Sequence, residues 1–213
     1  MQPSYRARSR SHRSWWGTHL YIVAIALLVQ TPLLGQPAKE LLNSERIAAN
    51  FGTYGIEVLQ QDEHVRVSNL YSFPRAGDRT CRTFAVVQYA PTIDPAIKAE
   101  HAAIVAGGSL GDVFAAKGWK IQKRHLSYTE LPATAKLATL MRIAVNTQLA
   151  EDVYSLAVSK DGRTIDYATI VEIHHPSYLR VADLVKISGP ADAEQSKSVT
   201  VSAARALAAQ RAG

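Results

Sequence analysis

Residues 107–111 read Gly-Gly-Ser-Leu-Gly, a literal G-x-S-x-G. Where this pattern carries chemistry, it holds a serine on a strained strand-to-helix turn with its hydroxyl exposed for acyl transfer. The glycines admit the strained backbone and the close approach of neighbouring chains. Ser109 would be the nucleophile, and His174 or His175 the base that takes its proton. Asp152, Asp161 and Asp166 precede those histidines and offer an acid.

That chain order, serine then acid then histidine, resembles the α/β-hydrolases, so a small esterase-like serine hydrolase is one reading of the chain. Three features oppose it. Asp161 precedes Gly162 in a turn, where Asp has an ordinary backbone role. The flanking segments alternate as antiparallel hairpins. No His-Gly-Gly stretch supplies oxyanion donors, each worth roughly 3 kcal/mol. The competing reading of 107–111 is a glycine-weakened helix packed closely against a sheet.

A second constellation is Glu172-Ile173-His174-His175-Pro176. Strand alternation sets Glu172 and His174 on one face, about 7 Å apart by strand rise. They could bind a ligand or supply two metal ligands. Zinc needs three or four, and the spacing selects no third among His64, His101 and His125, so no metal is expected. His175 points the opposite way. A third constellation is basic: Lys120 and Arg124 share a strand face with Gln122, with Trp119 and Tyr128 nearby. It reads as a polymer- or ligand-binding strip or as a lysine-guarded sheet edge. P-loop, dinucleotide, C-x-x-C and H-E-x-x-H motifs are missing, so no cofactor is expected.

The chain has 213 residues, a net charge of +6 and 47% hydrophobic residues. A disordered chain and a disulfide scaffold are excluded, the latter because Cys81 is the only cysteine. Arg6, Arg8, Arg10 and Arg13 supply much of the positive charge, and setting them aside leaves 20 basic against 18 acidic residues. No nucleic-acid partner is therefore expected of the folded part. Those arginines precede Trp15-Trp16 and an apolar run over 20–29 that meets Gln30 and Pro32. This is the layout of an export signal, with a retained N-terminal membrane anchor as the alternative. Residues 1–35 are assigned to that role, and any membrane contact is expected through them alone. A periplasmic or secreted location, or an anchored one, follows.

These groups need elements to position them. The spacing predicts a helix over 45–50, strands over 56–60, 65–71 and 82–89, and a loop over 73–78. Asp94-Pro95 starts a glycine-interrupted helix running to 117. A strand over 121–128 and a helix over 134–143 follow. Alternating runs over 153–159 and 164–174 flank Asp161-Gly162 and predict a hairpin. In its second arm Ile165, Tyr167, Thr169, Val171 and Ile173 are assigned to the core face, and Glu172 and His174 to a solvated one. A short last strand is expected over 183–188, and a flexible Ala-rich tail over 189–213 with a weak helix at 202–211.

The fold class expected is α+β: a mainly antiparallel sheet of five to seven strands with two or three helices on one face, in one domain over 40–188. The function expected is that of an exported domain without a catalytic signature. It would bind a ligand or an envelope partner protein through residues such as Glu172, His174, Lys120 and Arg124.

Overall fold

The computed structural model describes residues 41–213 except 76, 77 and 193, and the segment assigned to export lies outside them. Six antiparallel strands form one sheet: β1 (Gly55–Gln61), β2 (Val65–Arg75), β3 (Asp78–Tyr89), β4 (Lys120–Pro132), β5 (Gln148–Lys160) and β6 (Arg163–His174). Their spatial order is β1-β2-β3-β6-β5-β4, with every neighbouring pair antiparallel. The helices among the described residues are α1 (Asn43–Phe51), α2 (Lys98–Val105), α3 (Leu110–Ala116), α4 (Ala135–Met141), α5 (Val181–Ser188) and α6 (Val199–Ala212). None of them is long and apolar enough to cross a membrane.

The α+β class and the antiparallel sheet are those the alternation predicted, but the helices are more numerous and cover both faces. Successive strand residues point to opposite sides. Phe84 and Val86 of β3 pack with Leu137 and Met141 of α4 and with Val201, Ala204 and Ala208 of α6. Val87 packs on the other side, with Ile104 of α2 and Phe114 of α3. Ala85, on that same side, meets Ile47 of α1 and Leu184 of α5. Polar residues on this second face are therefore enclosed rather than solvated, which corrects the exposed placement expected for Glu172 and His174.

Local chemistry explains the element boundaries. The Asp94 carboxylate accepts the Ala96 N–H at 2.9 Å, and Pro95 opens the helical turn that leads into α2. Asp161 and Gly162 take φ of +50° and +79° between β5 and β6, the left-handed pair that a two-residue hairpin needs. The arm after that turn departs from simple alternation. Leu156 pairs with Ala168 but Ala157 pairs with Asp166, so Tyr167 is an extra residue in β6. This bulge moves Ile165 and Tyr167 into the cluster under α2 and α3, while Val171 and Ile173 stay under α4 and α6.

Two further expectations are corrected. Residues 183–188, expected as a strand, belong to α5, whose side chain Leu184 is buried. Asp183 accepts the Arg180 N–H at 2.9 Å and caps that helix. The Ala-rich tail expected to be flexible forms α6, whose Val201, Ala204, Ala208 and Ala212 are buried. Small side chains let the helix lie close on the sheet, and a composition-based estimate undervalues that contact. Cys81 is a buried β3 residue, and burial pushes its thiol up to about 12, which makes it inert.

Candidate functional site

Register on the second face assembles a polar group from five adjacent strands, β2 to β4 in the spatial order. Thr83, His174 and Ala150 form one cross-strand row. Ser68, Ala85, Glu172, Asp152 and Tyr128 form the next. Arg66, Val87, Ile170 and Tyr154 form a third. A cavity of about 90 Å³ lies over these rows. Its roof is the start of α1 (Leu42, Asn43, Ser44) and the start of α3 (Ser109, Leu110, Gly111). Its walls are largely apolar, and Arg66, Lys123 and Glu172 bring charge to them.

Arg66 is 1% exposed. Its Nη1 donates to the Gly108 carbonyl at 2.7 Å, and its Nη2 makes no hydrogen bond. No ion pair reaches it among the described residues. The Tyr89 hydroxyl accepts from Gln61 at 3.1 Å, and the Arg66 guanidinium stands near enough to oppose, by its charge and by hydrogen bonding, the upward shift that burial gives this phenol. Burial pushes the Tyr54 phenol, also on the cavity, up to about 12, with the Arg66 charge opposing that shift.

Beside Arg66 runs a buried polar chain. His125 Nδ1 meets Asp152 Oδ1 at 3.0 Å. Glu172 Oε2 stands 3.9 Å from His174 Nε2, beyond hydrogen-bond range. His174 Nδ1 meets Thr83 Oγ1 at 3.0 Å, and Asn43 Nδ2 donates to the same oxygen at 3.0 Å. The Tyr178 hydroxyl donates to Asn43 Oδ1 at 2.6 Å. Burial holds His174 down to about 4, so the ring is neutral. Burial likewise raises Asp152, against the opposing effect of His125.

The sequence candidates separate in space. Glu172 and Ser109 both line the cavity, and His174 lies behind Glu172. Ser109 sits between two helices, at the N-cap of α3, with no strand before it. Its hydroxyl bonds no histidine among the described residues. Gly107 answers to backbone conformation, with φ +106° and nothing within 4 Å of an added Cβ, while Gly108 and Gly111 answer to packing. A Cβ on Gly108 would lie 2.8 Å from the Ala103 carbonyl oxygen, and one on Gly111 would lie 2.5 Å from Leu42 Cδ1.

His175 is in a turn after β6. Its Nδ1 accepts the Ser177 N–H at 3.0 Å and lies 2.8 Å from Ser177 Oγ, to which Arg82 Nη1 donates at 2.8 Å. Lys120 and Arg124 are exposed on β4, the outer strand of the sheet, away from the cavity. Arg66, Thr83 and Asn43 were missed by sequence reasoning, and Asp152 was noted only as a candidate acid. The available signal was an arginine inside an alternating strand. Its burial depends on a helix pair contributed by residues 98–116.

The chain and this site thus define an α+β domain with a two-sided, helix-covered antiparallel sheet and a partly open cavity that carries buried charge. No family model matches the chain, and no curated protein does. Among solved structures, the C-terminal domain of Yurk from Bacillus subtilis subsp. subtilis str. 168 is similar over 58% of this chain and 92% of that one, with 14% identity and a TM-score of 0.37.

Proposed function

We propose that this protein is an exported binding domain whose cavity takes a small ligand carrying an acidic group, with that group on Arg66. The observation that carries the reading is a buried guanidinium with one free N–H face and no counter-ion among the described residues. An unpaired buried charge costs several kcal/mol, and a ligand anion removes that cost. A carboxylate matches the guanidinium fork. The apolar walls would hold a short aliphatic body. An apolar cavity of about 150 Å³ takes benzene, so a space of about 90 Å³ takes a smaller group. Export is supported by the N-terminal sequence layout of basic residues followed by a short apolar run.

The test is calorimetric titration of the purified protein with short aliphatic carboxylates and with their neutral amides. The acids are expected to bind and the amides to bind about 10- to 100-fold more weakly, the range of one charge-assisted hydrogen bond. Equal affinity for acid and amide, or no binding by any of the acids, overturns the reading. For export, the protein is expected in the extracytoplasmic fraction of its cells, and recovery solely from the cytoplasm refutes it.

A further inference from the structure

We propose that Asp152, Glu172 and His174 hold one divalent transition-metal ion, with Zn²⁺ the best match to their donor set. One ligand atom from each of the three lies within 4.8 Å of the others, and all three residues are buried. Ligand atoms that share one tetrahedral ion with bonds of about 2.0–2.2 Å lie about 3.3–3.6 Å apart, so binding would draw these atoms together by up to about 1.5 Å, a side-chain adjustment. Register makes this trio possible. Asp152 and Glu172 are directly paired on β5 and β6, and His174 lies two residues along β6 on the same face. The sequence offered two ligands. The cross-strand partner supplies the third, from a position that spacing along the chain does not reveal.

An acidic pair alone would not make a site. The independent observation is His174 Nε2, which has no hydrogen-bond partner although the residue is 1% exposed. It faces Glu172 Oε2 at 3.9 Å, a gap too long for a hydrogen bond. Buried polar atoms are almost always satisfied, and an ion between these groups would satisfy the nitrogen and both carboxylates together. The other ring nitrogen is already held. His174 Nδ1 lies 3.0 Å from Thr83 Oγ1, so in the metal-binding tautomer Nδ1–H donates there and the Nε2 lone pair faces the carboxylates. Asn43 and Tyr178 extend that support outward. His125 Nδ1 contacts one Asp152 oxygen at 3.0 Å and leaves the other to ligate. Ligands braced in this way by outer hydrogen bonds are the usual pattern of metal sites.

An imidazole with two carboxylates favours a first-row transition ion over Mg²⁺ or Ca²⁺, which prefer all-oxygen sets. Two carboxylates also balance a dication, where without it two acids lie adjacent and buried. Glu172 lines the cavity, which provides the ion's route in and space for a further, non-protein ligand. The site's ion is distinct from the acid-bearing ligand of Arg66, and its test titrates only metal ions.

The experiment titrates Zn²⁺ into the full chain after EDTA treatment, in a non-coordinating buffer, by calorimetry, with Co²⁺ as an optical probe. One Zn²⁺ per chain is expected. H174N and E172Q should weaken it about 100-fold or more, and T83V, which removes a supporting hydrogen bond, about 10- to 100-fold. E63Q, an exposed site elsewhere, should bind as the parent does. Absence of saturable one-to-one binding, or parental affinity in both H174N and E172Q, overturns the proposal. Should those variants fail to fold, ¹⁵N spectra of the unmodified protein decide. A large shift of His174 Nε2 on adding Zn²⁺, with Nδ1 protonated, supports the site, and an unmoved resonance overturns it.

Discussion

Replacing Arg66 by methionine separates a residue kept for a ligand from one kept for the fold. Methionine fills the track of the arginine stem with an apolar chain and removes the charge. Two quantities compete. Removing an uncompensated buried cation recovers several kcal/mol. Losing the Nη1 bond to Gly108, 2.7 Å long, costs about 1.5–3 kcal/mol, since the donor is charged and the carbonyl is left unpaired. No ion pair is lost. The balance favours the variant by about 1–2 kcal/mol. In a domain of this size 1 kcal/mol moves Tm by about 2–4 °C, so the ligand-free variant should melt about 2–8 °C higher. Differential scanning calorimetry at neutral pH, with and without a short carboxylic acid, reads both consequences. The acid should raise Tm of the parent and leave the variant unmoved. A variant melting more than about 5 °C below the parent would refute the reasoning, because Arg66 would then be a structural strut for the α2–α3 junction.

Two stability predictions test the frame around the cavity. Phe114 is fully buried and meets the Tyr167 ring edge-on at 4.9 Å, so Phe114→Ala should cost about 3–5 kcal/mol and lower Tm by about 6–20 °C; a change under about 3 °C would contradict the packing of α3 on the sheet. Gly162 has φ +79° and nothing within 4 Å of an added Cβ. The cost of Gly162→Val is therefore conformational alone, about 1–2 kcal/mol, while Gly162→Asn should be nearly neutral because Asn tolerates that region. Equal melting of the two variants would refute the turn geometry.

Much of the frame is legible in the residues themselves. Period-two runs mark the β5–β6 hairpin, and Asp161-Gly162 marks its turn, because both are properties of a few neighbouring residues. Asp94-Pro95 announces the first helical turn after β3 for the same reason. Alternation along β6 fails at Tyr167, since a bulge is set by the partner strand and not by the strand that carries it. The helix over 199–212 was undervalued because alanines bury little area each, and their worth lies in how closely they let a helix approach the sheet.

The candidate site divides along the same line. The sequence by itself determined that Glu172 and His174 share a strand face and that 107–111 is a glycine-rich break beside a serine, since both follow from spacing of a few residues. Only the tertiary structure decided that this face is roofed by α1 and α3, that Asp152 stands opposite Glu172, and that Arg66 lies sealed beneath Gly108. Burial and cross-strand register come from segments about 20 to 130 residues away along the chain. A charged side chain becomes a binding group when those segments remove its water and supply no counter-ion.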